Sequence, residues 1–239
     1  MSRLDRLLAH ATGISRSQVR RAIRAAEVTV NDRAARDPAR IVAPDDRVYW
    51  RGERMCAPEP RYFMLHKPAG YECGSGDHHH RSVFQLLNEP RLEQLHVAGR
   101  LDVDTTGLVL LTDDGAWSHR ITAPRWKRAK AYRVRLADAW SPDHPALSTL
   151  RAGVRLRNEP RPTAPAEVEW LAGDELRLIL REGRYHQVKR MLAAVGNRVI
   201  GLHRERIGAL MLAPELPPGA YRALTAAERL LALSDTSRC

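Results

Sequence analysis

The sequence predicts a small helical module followed by a larger α+β domain whose sheet is largely antiparallel. Two short amphipathic helices and several β-branched segments lie within the first 51 residues, and six apolar, strand-like segments lie within residues 62–181. Several of these segments follow one another without a helix long enough for a parallel crossover, which favours antiparallel pairing. We therefore predict an N-terminal domain at 1–51, a linker at 52–60 and a main domain at 61–239 with helices flanking its mixed sheet.

The N-terminal domain is expected to begin with two helices. Leucines recur at helical spacing within residues 3–11, and Gly13 is suited to end this first helix. Ser15 is suited to cap a second helix. Short β-branched segments at 28–31 and 48–50 are typical of strands and complete the predicted domain.

The outer side of the second predicted helix is basic. It carries four arginines, at positions Arg16, Arg20, Arg21 and Arg24. Such a cluster is typical both of a solvated helix face and of a phosphate-binding surface. The net charge of +11 favours the second interpretation, because 35 of the 39 basic residues are arginines, which bind phosphate through a planar fork. Nucleic acid is the first candidate partner.

Several classes of protein are excluded by composition. The sequence has no apolar segment of about 20 residues, and its first ten residues have no signal-peptide core. Three scattered cysteines do not form a disulfide framework or a zinc site. The adjacent histidines at 78–80 alternate sides in an extended chain, so they do not converge on one ion. We expect a cytoplasmic protein without a membrane segment or a metal.

The main domain is predicted to mix strands and helices. The predicted strands are 62–66, 95–99, 107–112, 131–136, 166–171 and 175–181. The predicted helices lie near 82–88, 114–122, 142–151, 184–196 and 225–234. This order places polar turns next to buried strands, where a rigid element can hold a functional side chain.

One such turn carries two carboxylates. Residues 99–115 read GRLDVDTTGLVLLTDDG, with Asp102 and Asp104 just before an apolar strand. Paired carboxylates suit glycosidase chemistry or metal binding. Aspartate, threonine and glycine are also ordinary turn residues, so the pattern alone leaves these alternatives open.

Two further segments carry candidate functional residues. Residues 182–196 read EGRYHQVKRMLAAVG and place Lys189 one helical turn after Tyr185. Lysine is rare in this arginine-rich chain, so Lys189 suggests a site that suits a compact ammonium group. A surface lysine is equally compatible with the spacing. Tyr132 lies in the strand segment KRAKAYRVRL, where a half-buried aromatic residue is common.

These segments resemble known families over nearly the whole chain. The N-terminal segment RLDRLLAHATGISRSQVRRAIRAAEVTVND resembles an S4 RNA-binding domain. The segments HKPAGYECG, GRLDVDTTGL, KAYRV and EGRYHQVKRM resemble motifs of the pseudouridine synthases. The match is to the subfamily named after the ribosomal small-subunit enzyme.

The resemblance implies an isomerase that needs no cofactor. Asp102 is expected to act as nucleophile or base at the ribose, Lys189 to pair with it, and Tyr132 to lie against the uracil. Asp104 is assigned to the shape of the loop. RNA contacts are expected from Arg100, Lys67, His186 and Arg190.

The resemblance also implies a substrate, which is 16S rRNA or a small-subunit assembly intermediate modified at uridine 516 by a monomeric enzyme. Two alternatives stay open. One is a synthase acting on 23S rRNA of the large subunit. The other is a non-catalytic RNA-binding factor for ribosome assembly.

Overall fold

The computed structural model describes residues 2–56, 58–74 and 79–235. The chain forms two compact units, Met1–Pro60 and Arg61–Cys239. The first unit therefore extends through the segment 52–60 that the sequence analysis assigns to a linker.

The first unit contains the two predicted helices, α1 (Leu4–Thr12) and α2 (Arg16–Arg24). Helix α1 ends at Gly13, whose φ of 75° is in the left-handed region that glycine adopts at little cost. Ser15 caps α2 through a reciprocal pair of hydrogen bonds with Gln18. Both predicted helix boundaries are confirmed.

Short strands complete the first unit. They are β1 (Ser2–Arg3), β2 (Val28–Val30), β3 (Arg33–Ala34), β4 (Ile41–Val42), β5 (Val48–Trp50) and β6 (Glu53–Met55). Four of them form a sheet in the order β3-β2-β5-β6, and β1 pairs with β4. Strand β6 pairs with β5 inside the expected linker, because the polar turn at Arg51 and Gly52 closes a hairpin there. The side chains of Leu4, Leu8, Val19 and Ile23 form the buried core with valines of the sheet.

The second unit is built on a nine-stranded sheet in its described part. Its strands are β7 (Tyr62–Lys67), β10 (His96–Val97), β11 (Thr106–Thr112), β12 (Lys130–Leu136), β13 (Glu167–Ala172), β14 (Glu175–Leu180), β15 (Val199–Ile207), β16 (Leu210–Met211) and β17 (Tyr221–Ala223). A separate pair consists of β8 (Tyr71–Glu72) and β9 (Arg81–Ser82). The helices are α3 (Gly115–Thr122), α4 (Pro145–Ala152), α5 (Gln187–Ala194) and α6 (Ala226–Leu231).

The strand order in the large sheet is β13-β14-β12-β15-β11-β7-β17, with β10 on β11 and β16 on β15. Only the pairing of β11 with β15 is parallel within this described sheet. The predicted α+β fold with a largely antiparallel mixed sheet is confirmed. The helix predicted near 82–88 is instead a 3₁₀ turn at Val83–Leu86.

Strand β15 is central but was not predicted. Its sequence VIGLHRERI starts with apolar residues and continues with polar and charged ones, without the alternation typical of a strand, and the charged Arg204 lies buried on it. Strands β11 and β15 approach closely at Gly107, whose φ is 106°. A Cβ atom at this position would lie 2.3 Å from the carbonyl oxygen of Arg204, so only glycine fits.

Both faces of strand β11 are buried. Leu108 and Leu110 pack against Trp117 and Ile121 of helix α3, while Val109 and Leu111 face the opposite core cluster. The continuous apolar sequence of this strand is therefore explained by burial on two sides. It gives the preceding loop a rigid attachment point.

Asp5 of helix α1 is a completely buried carboxylate. It accepts hydrogen bonds from Arg3, Arg16 and Arg20, at 2.9 to 3.3 Å. Burial acts to raise the pKa of Asp5, but these three hydrogen-bonded guanidinium groups outweigh it and hold the pKa well below its usual range. Asp5 thus ties the start of α1 to α2.

We predict that Asp5→Asn destabilises the helices of the first unit by about 2 kcal/mol at neutral pH, because the charged hydrogen bonds are weakened. A carboxylate with a lowered pKa stabilises the fold above its ordinary pKa and loses that contribution as the pH falls. The difference between wild type and variant should therefore narrow below pH of about 4. Hydrogen exchange of peptides from α1 and α2 in the full-length chain, followed as a function of pH, measures this loss of stability.

The matched control is Asp32→Asn, which breaks the exposed ion pair between Asp32 and Arg47. Exposed pairs contribute little, so this change should cost under about 0.5 kcal/mol. Equal effects of the two substitutions would contradict the role given to Asp5.

Candidate active site

A cleft of about 1010 Å³ opens in the second unit. It is lined by the loop at 99–105, by β12, by the segment 180–189 and by the end of α3 with the turn that follows. Asp102, Tyr132 and Lys189, which are separated by up to 87 positions in the sequence, all line it. The structure therefore brings the three predicted catalytic residues together.

The loop at 99–105, hereafter the active-site loop, is held at its start by Arg204. This guanidinium is 1% exposed and donates to the carbonyl oxygens of Gly99 at 2.7 Å and Leu108 at 2.8 Å. A third, longer hydrogen bond reaches the carbonyl oxygen of Arg100. Arg204 therefore connects the start of the loop that carries Asp102 to strand β11.

Lys67 holds the other end of the active-site loop. Its ammonium donates to the carbonyl oxygens of Thr105 at 2.7 Å, Val103 at 3.1 Å and Pro68 at 3.0 Å. Burial lowers the pKa of this lysine. Because the side chain is fully buried, the expected RNA contact of Lys67 is replaced by a structural one.

Lys189 lies between two carboxylates. Its Nζ is 3.4 Å from Oδ2 of Asp102 and donates a 2.6 Å hydrogen bond to Oδ1 of Asp104. Burial acts to lower the pKa of Lys189, but the hydrogen bond to Asp104 and the charge of Asp102 raise it overall. The ammonium therefore stays charged beside Asp102.

Asp104 has a larger role than the sequence analysis assigns to it. Burial acts to raise its pKa, but the hydrogen bond from Lys189 lowers it below its usual range. The shorter contact of Lys189 is thus with Asp104, and the longer one is with Asp102. Asp104 positions the ammonium rather than only shaping the loop.

His186 contacts Asp102 from the other side. Its Nε2 lies 3.6 Å from Oδ1 of Asp102, and its ring stacks on Tyr185 with centroids 3.8 Å apart. The backbone of His186 is left-handed, with a φ of 47°, immediately before α5. This conformation turns the chain so that His186 and Lys189 both reach the same carboxylate.

Tyr132 lies on strand β12 and is half-buried. It packs against two core clusters while lining the cleft, so the structural and functional interpretations of this aromatic residue are compatible. Lys130 lines the cleft from the same strand face. Burial, aided by the charge of Arg204, lowers the pKa of Lys130 to about 8.

Two other predicted RNA contacts differ in their surroundings. Arg100 is exposed at the cleft and has no ion pair among the described residues. Arg190 donates to the carboxylate of Glu159 at 3.0 Å and to the carbonyl oxygen of Arg157 at 2.8 Å. Arg190 therefore braces a loop, and its contact with RNA stays a prediction.

The four arginines of α2 also divide into two pairs. Arg16 and Arg20 bind the buried Asp5, although about half of each side chain stays exposed. Arg21 and Arg24 are exposed and have no acidic partner in the described part of the first unit. The helix thus presents cationic groups to solvent on a face whose other members are fixed by Asp5.

Within the residues that the structure describes, no group of three or more histidine, cysteine, aspartate or glutamate side chains is arranged to hold a metal ion. His78 lies outside the described residues, and His80 lines the cleft. The described helices also include none that is long and apolar enough to cross a membrane.

The sequence analysis missed Arg204, Asp104 and Lys130 as site residues. Lys130 lies within the segment KRAKAYRVRL that was quoted for Tyr132, whereas Arg204 lies outside the quoted segments, and spacing does not distinguish a buried arginine from the 34 others. For Asp104 a signal was present, because residues two apart in a short turn can share one cation on the facing helix.

The fold of each unit and the cleft with its paired carboxylate and ammonium groups are typical of an enzyme with a separate binding domain. Comparison with protein families identifies the class. Residues 61–194 match the model described as RNA pseudouridylate synthase, and residues 2–48 match the S4 domain. The chain belongs to the RNA pseudouridylate synthase family and carries an N-terminal S4 domain, which confirms both resemblances.

Individual relatives cover nearly the full length. The ribosomal small subunit pseudouridine synthase A of Vibrio parahaemolyticus is 50% identical over 228 residues, or 95% of this chain and 97% of that protein. The Escherichia coli K12 protein of the same name is 48% identical over the same shares. A crystal structure of a pseudouridylate synthase matches with a TM-score of 0.70 at 43% identity, covering 97% of this chain and 100% of that one.

We predict that Asp104→Asn slows pseudouridine formation about tenfold, since it weakens one partly exposed charged hydrogen bond to Lys189. Single-turnover rates measured by tritium release from C5-labelled uridine RNA test this. Asp143→Asn is the control, because Asp143 is exposed and does not line the cleft. An unchanged rate for Asp104→Asn would remove the positioning role.

Proposed function

We propose that this pseudouridine synthase modifies 16S rRNA, at uridine 516, and that Asp102 is its catalytic residue. The choice of 16S rRNA follows from the names of the relatives above, which are ribosomal small subunit synthases. This chain matches them along nearly their entire length. The position of the Asp102 carboxylate in the cleft, 3.4 Å from the Lys189 ammonium, is the observation that carries the catalytic assignment.

The reaction detaches uracil from C1′ of the ribose, rotates it and rejoins it through C5. It is an isomerisation, so it consumes no cofactor or second substrate. It requires an ionised oxygen at the ribose, either to attack C1′ or to remove a proton. Asp102 supplies this oxygen, and its partial exposure leaves one side open to the sugar. Lys189 stabilises the charged carboxylate within the cleft.

The other cleft residues receive roles consistent with their positions. Tyr132 lines the cleft from strand β12, and we assign it to lie against the uracil ring and to assist removal of the C5 proton. Arg100 is exposed beside Asp102, where a guanidinium can hold the phosphate of an extruded nucleotide or fill the gap it leaves. Both assignments require that the target uridine leaves the RNA stack.

The first unit supplies RNA affinity in this proposal. The exposed guanidinium groups of Arg21 and Arg24 suit phosphate contacts that do not depend on sequence. Arg16 and Arg20 add to that charge while fixed to Asp5. Binding of this kind weakens steeply as salt rises, because counterions released from the RNA must be recovered.

We predict that Asp102→Asn lowers pseudouridine formation by more than a thousandfold while RNA affinity changes less than threefold, because only the reacting charge is lost. Tritium release and filter binding measure the two quantities. Asp138→Asn, in a residue that does not line the cleft, is the control. Turnover by Asp102→Asn near the wild-type rate would exclude Asp102 from the mechanism.

The substrate assignment is tested by mapping pseudouridine in both rRNAs from cells with and without the protein. We expect uridine 516 of 16S rRNA to be unmodified in its absence and 23S rRNA to be unaffected. Loss of a 23S site instead would transfer the activity to the large subunit. An unchanged map with normal RNA binding would favour the non-catalytic assembly factor.

A further inference from the structure

A second basic surface lies in the middle of the second unit. Residues 115–137 contain seven lysines and arginines and no aspartate or glutamate. Six of the basic groups in this part of the chain, counting His119, fall within twelve positions, from 119 to 130. Because this segment contains no acidic residue, its charge is not neutralised within the segment, and it suits a polyanionic ligand.

The segment 119–128, hereafter the basic turn, has a defined conformation. Helix α3 ends at Thr122, a 3₁₀ turn spans Pro124–Trp126, and Lys127 adopts a left-handed backbone with a φ of 47° before β12 begins. The left-handed residue reverses the chain direction so that the side chains of the turn are grouped at one place. The turn is therefore a built surface on a helix and a strand of the core.

An exposed aromatic ring lies within this group. The Trp126 residue is 41% exposed, although indole rings are usually covered in a folded protein. The guanidinium carbons of Arg125 and Arg128 lie 5.5 and 5.8 Å from its ring centroid. Cations at this distance interact with the ring, so the three side chains form one charged cluster.

The cations of the basic turn have no acidic partners among the residues that the structure describes. In the described part of the chain, Arg125, Lys127 and Arg128 make no ion pair, and Nε of Arg128 is buried without a hydrogen-bond acceptor. A buried guanidinium nitrogen without a partner costs free energy. By contrast, Arg133 on the next strand pairs with Glu175 and Glu205. The basic turn thus has unused capacity for an anion.

The basic turn also forms a wall of the active-site cleft. Thr122, Pro124, Lys127 and Arg128 line the same cleft as Asp102. A nucleotide bound at Asp102 would have its neighbouring nucleotides within reach of this wall, because successive phosphates in a single strand are a few ångströms apart. A single strand that enters the cleft can therefore also reach the basic turn.

We propose that the basic turn binds the RNA strand next to the modified uridine. An unpaired base stacks on Trp126, and Arg125, Lys127 and Arg128 contact the adjacent phosphates. An exposed aromatic ring among guanidinium groups matches the way single-stranded RNA is bound, whereas the carboxylates of an acidic peptide would use the guanidinium groups without requiring the ring. This inference rests on the proposed function, since it assumes that the cleft receives RNA.

The full-length protein and an in vitro transcript of 16S rRNA around uridine 516 provide the test. Trp126→Ala should weaken binding about tenfold, because stacking of one base is lost. Trp126→Phe keeps an aromatic face and should stay within threefold of wild type. RNA should quench less tryptophan fluorescence in Trp126→Phe than in wild type, since the contacting indole is gone.

The charged part of the surface is tested separately by the double variant R125Q/R128Q. It should bind more weakly and lower the slope of log affinity against log salt by about 1.4, at about 0.7 for each lost phosphate contact. The matched control is R155Q/R157Q, which removes the same charge from exposed arginines outside both the basic surface and the cleft lining. Circular dichroism of each variant confirms folding.

Three outcomes would overturn the inference: wild-type affinity for Trp126→Ala, equal quenching in Trp126→Phe, or equal losses in the two double variants. The last result would mean that only total charge matters. Failure of the proposed function is distinguishable, because it appears as an absence of pseudouridine formation by the wild-type protein. The binding differences between matched variants are measured without turnover.

Discussion

The arrangement of the cleft depends on two buried cations that bind backbone carbonyl groups instead of carboxylates. Arg204 holds the start of the active-site loop and Lys67 holds its end, and both reach the loop from strands adjacent to β11. Burying a charge is costly unless its hydrogen-bonding capacity is used, so these contacts fix the positions of the carbonyl oxygens closely. Since the loop is held at both ends, Asp102 between them has little freedom to leave the cleft.

The second requirement is electrostatic. A carboxylate in a partly enclosed cleft is costly to keep ionised unless a cation is near, yet a direct, short ion pair would occupy the oxygen that is proposed to react. The structure separates these demands by giving Lys189 its short hydrogen bond to Asp104 and a longer contact to Asp102. His186 lies at a similar distance from the other oxygen of Asp102. The ammonium therefore stabilises the charge of Asp102, while its shortest contact is with Asp104.

The local elements were largely predictable from the sequence, and the long-range contacts were not. Helix α2 follows from a capping residue and an apolar stripe, and β11 follows from a continuous apolar segment, because both signals are local. Strand β15 escaped prediction because its central position depends on Arg204 being buried against a loop about a hundred residues away. The resemblance gathered Asp102, Tyr132 and Lys189 into one site but gave no geometry, so it missed Asp104 and assigned Lys67 to RNA. Both differences depend on the partner of an ammonium group: Lys189 donates to the carboxylate of Asp104, and Lys67 donates to the carbonyl oxygen of Thr105.

The same limit explains why a net charge of +11 does not locate an RNA surface. Many of the arginines are already committed: Arg177 binds two glutamates, Arg190 binds Glu159, and Arg184 donates to backbone carbonyls at 161 and 162. These side chains stabilise the fold, and their charge is compensated or directed inward. Arg100, Arg125 and Arg128 have no such ion pairs in the described residues, and all three lie at or beside the cleft. The structure thus distinguishes the arginines that stabilise the fold from Arg100, Arg125 and Arg128, which leave uncompensated charge at or beside the cleft. The amino-acid composition alone does not make this distinction.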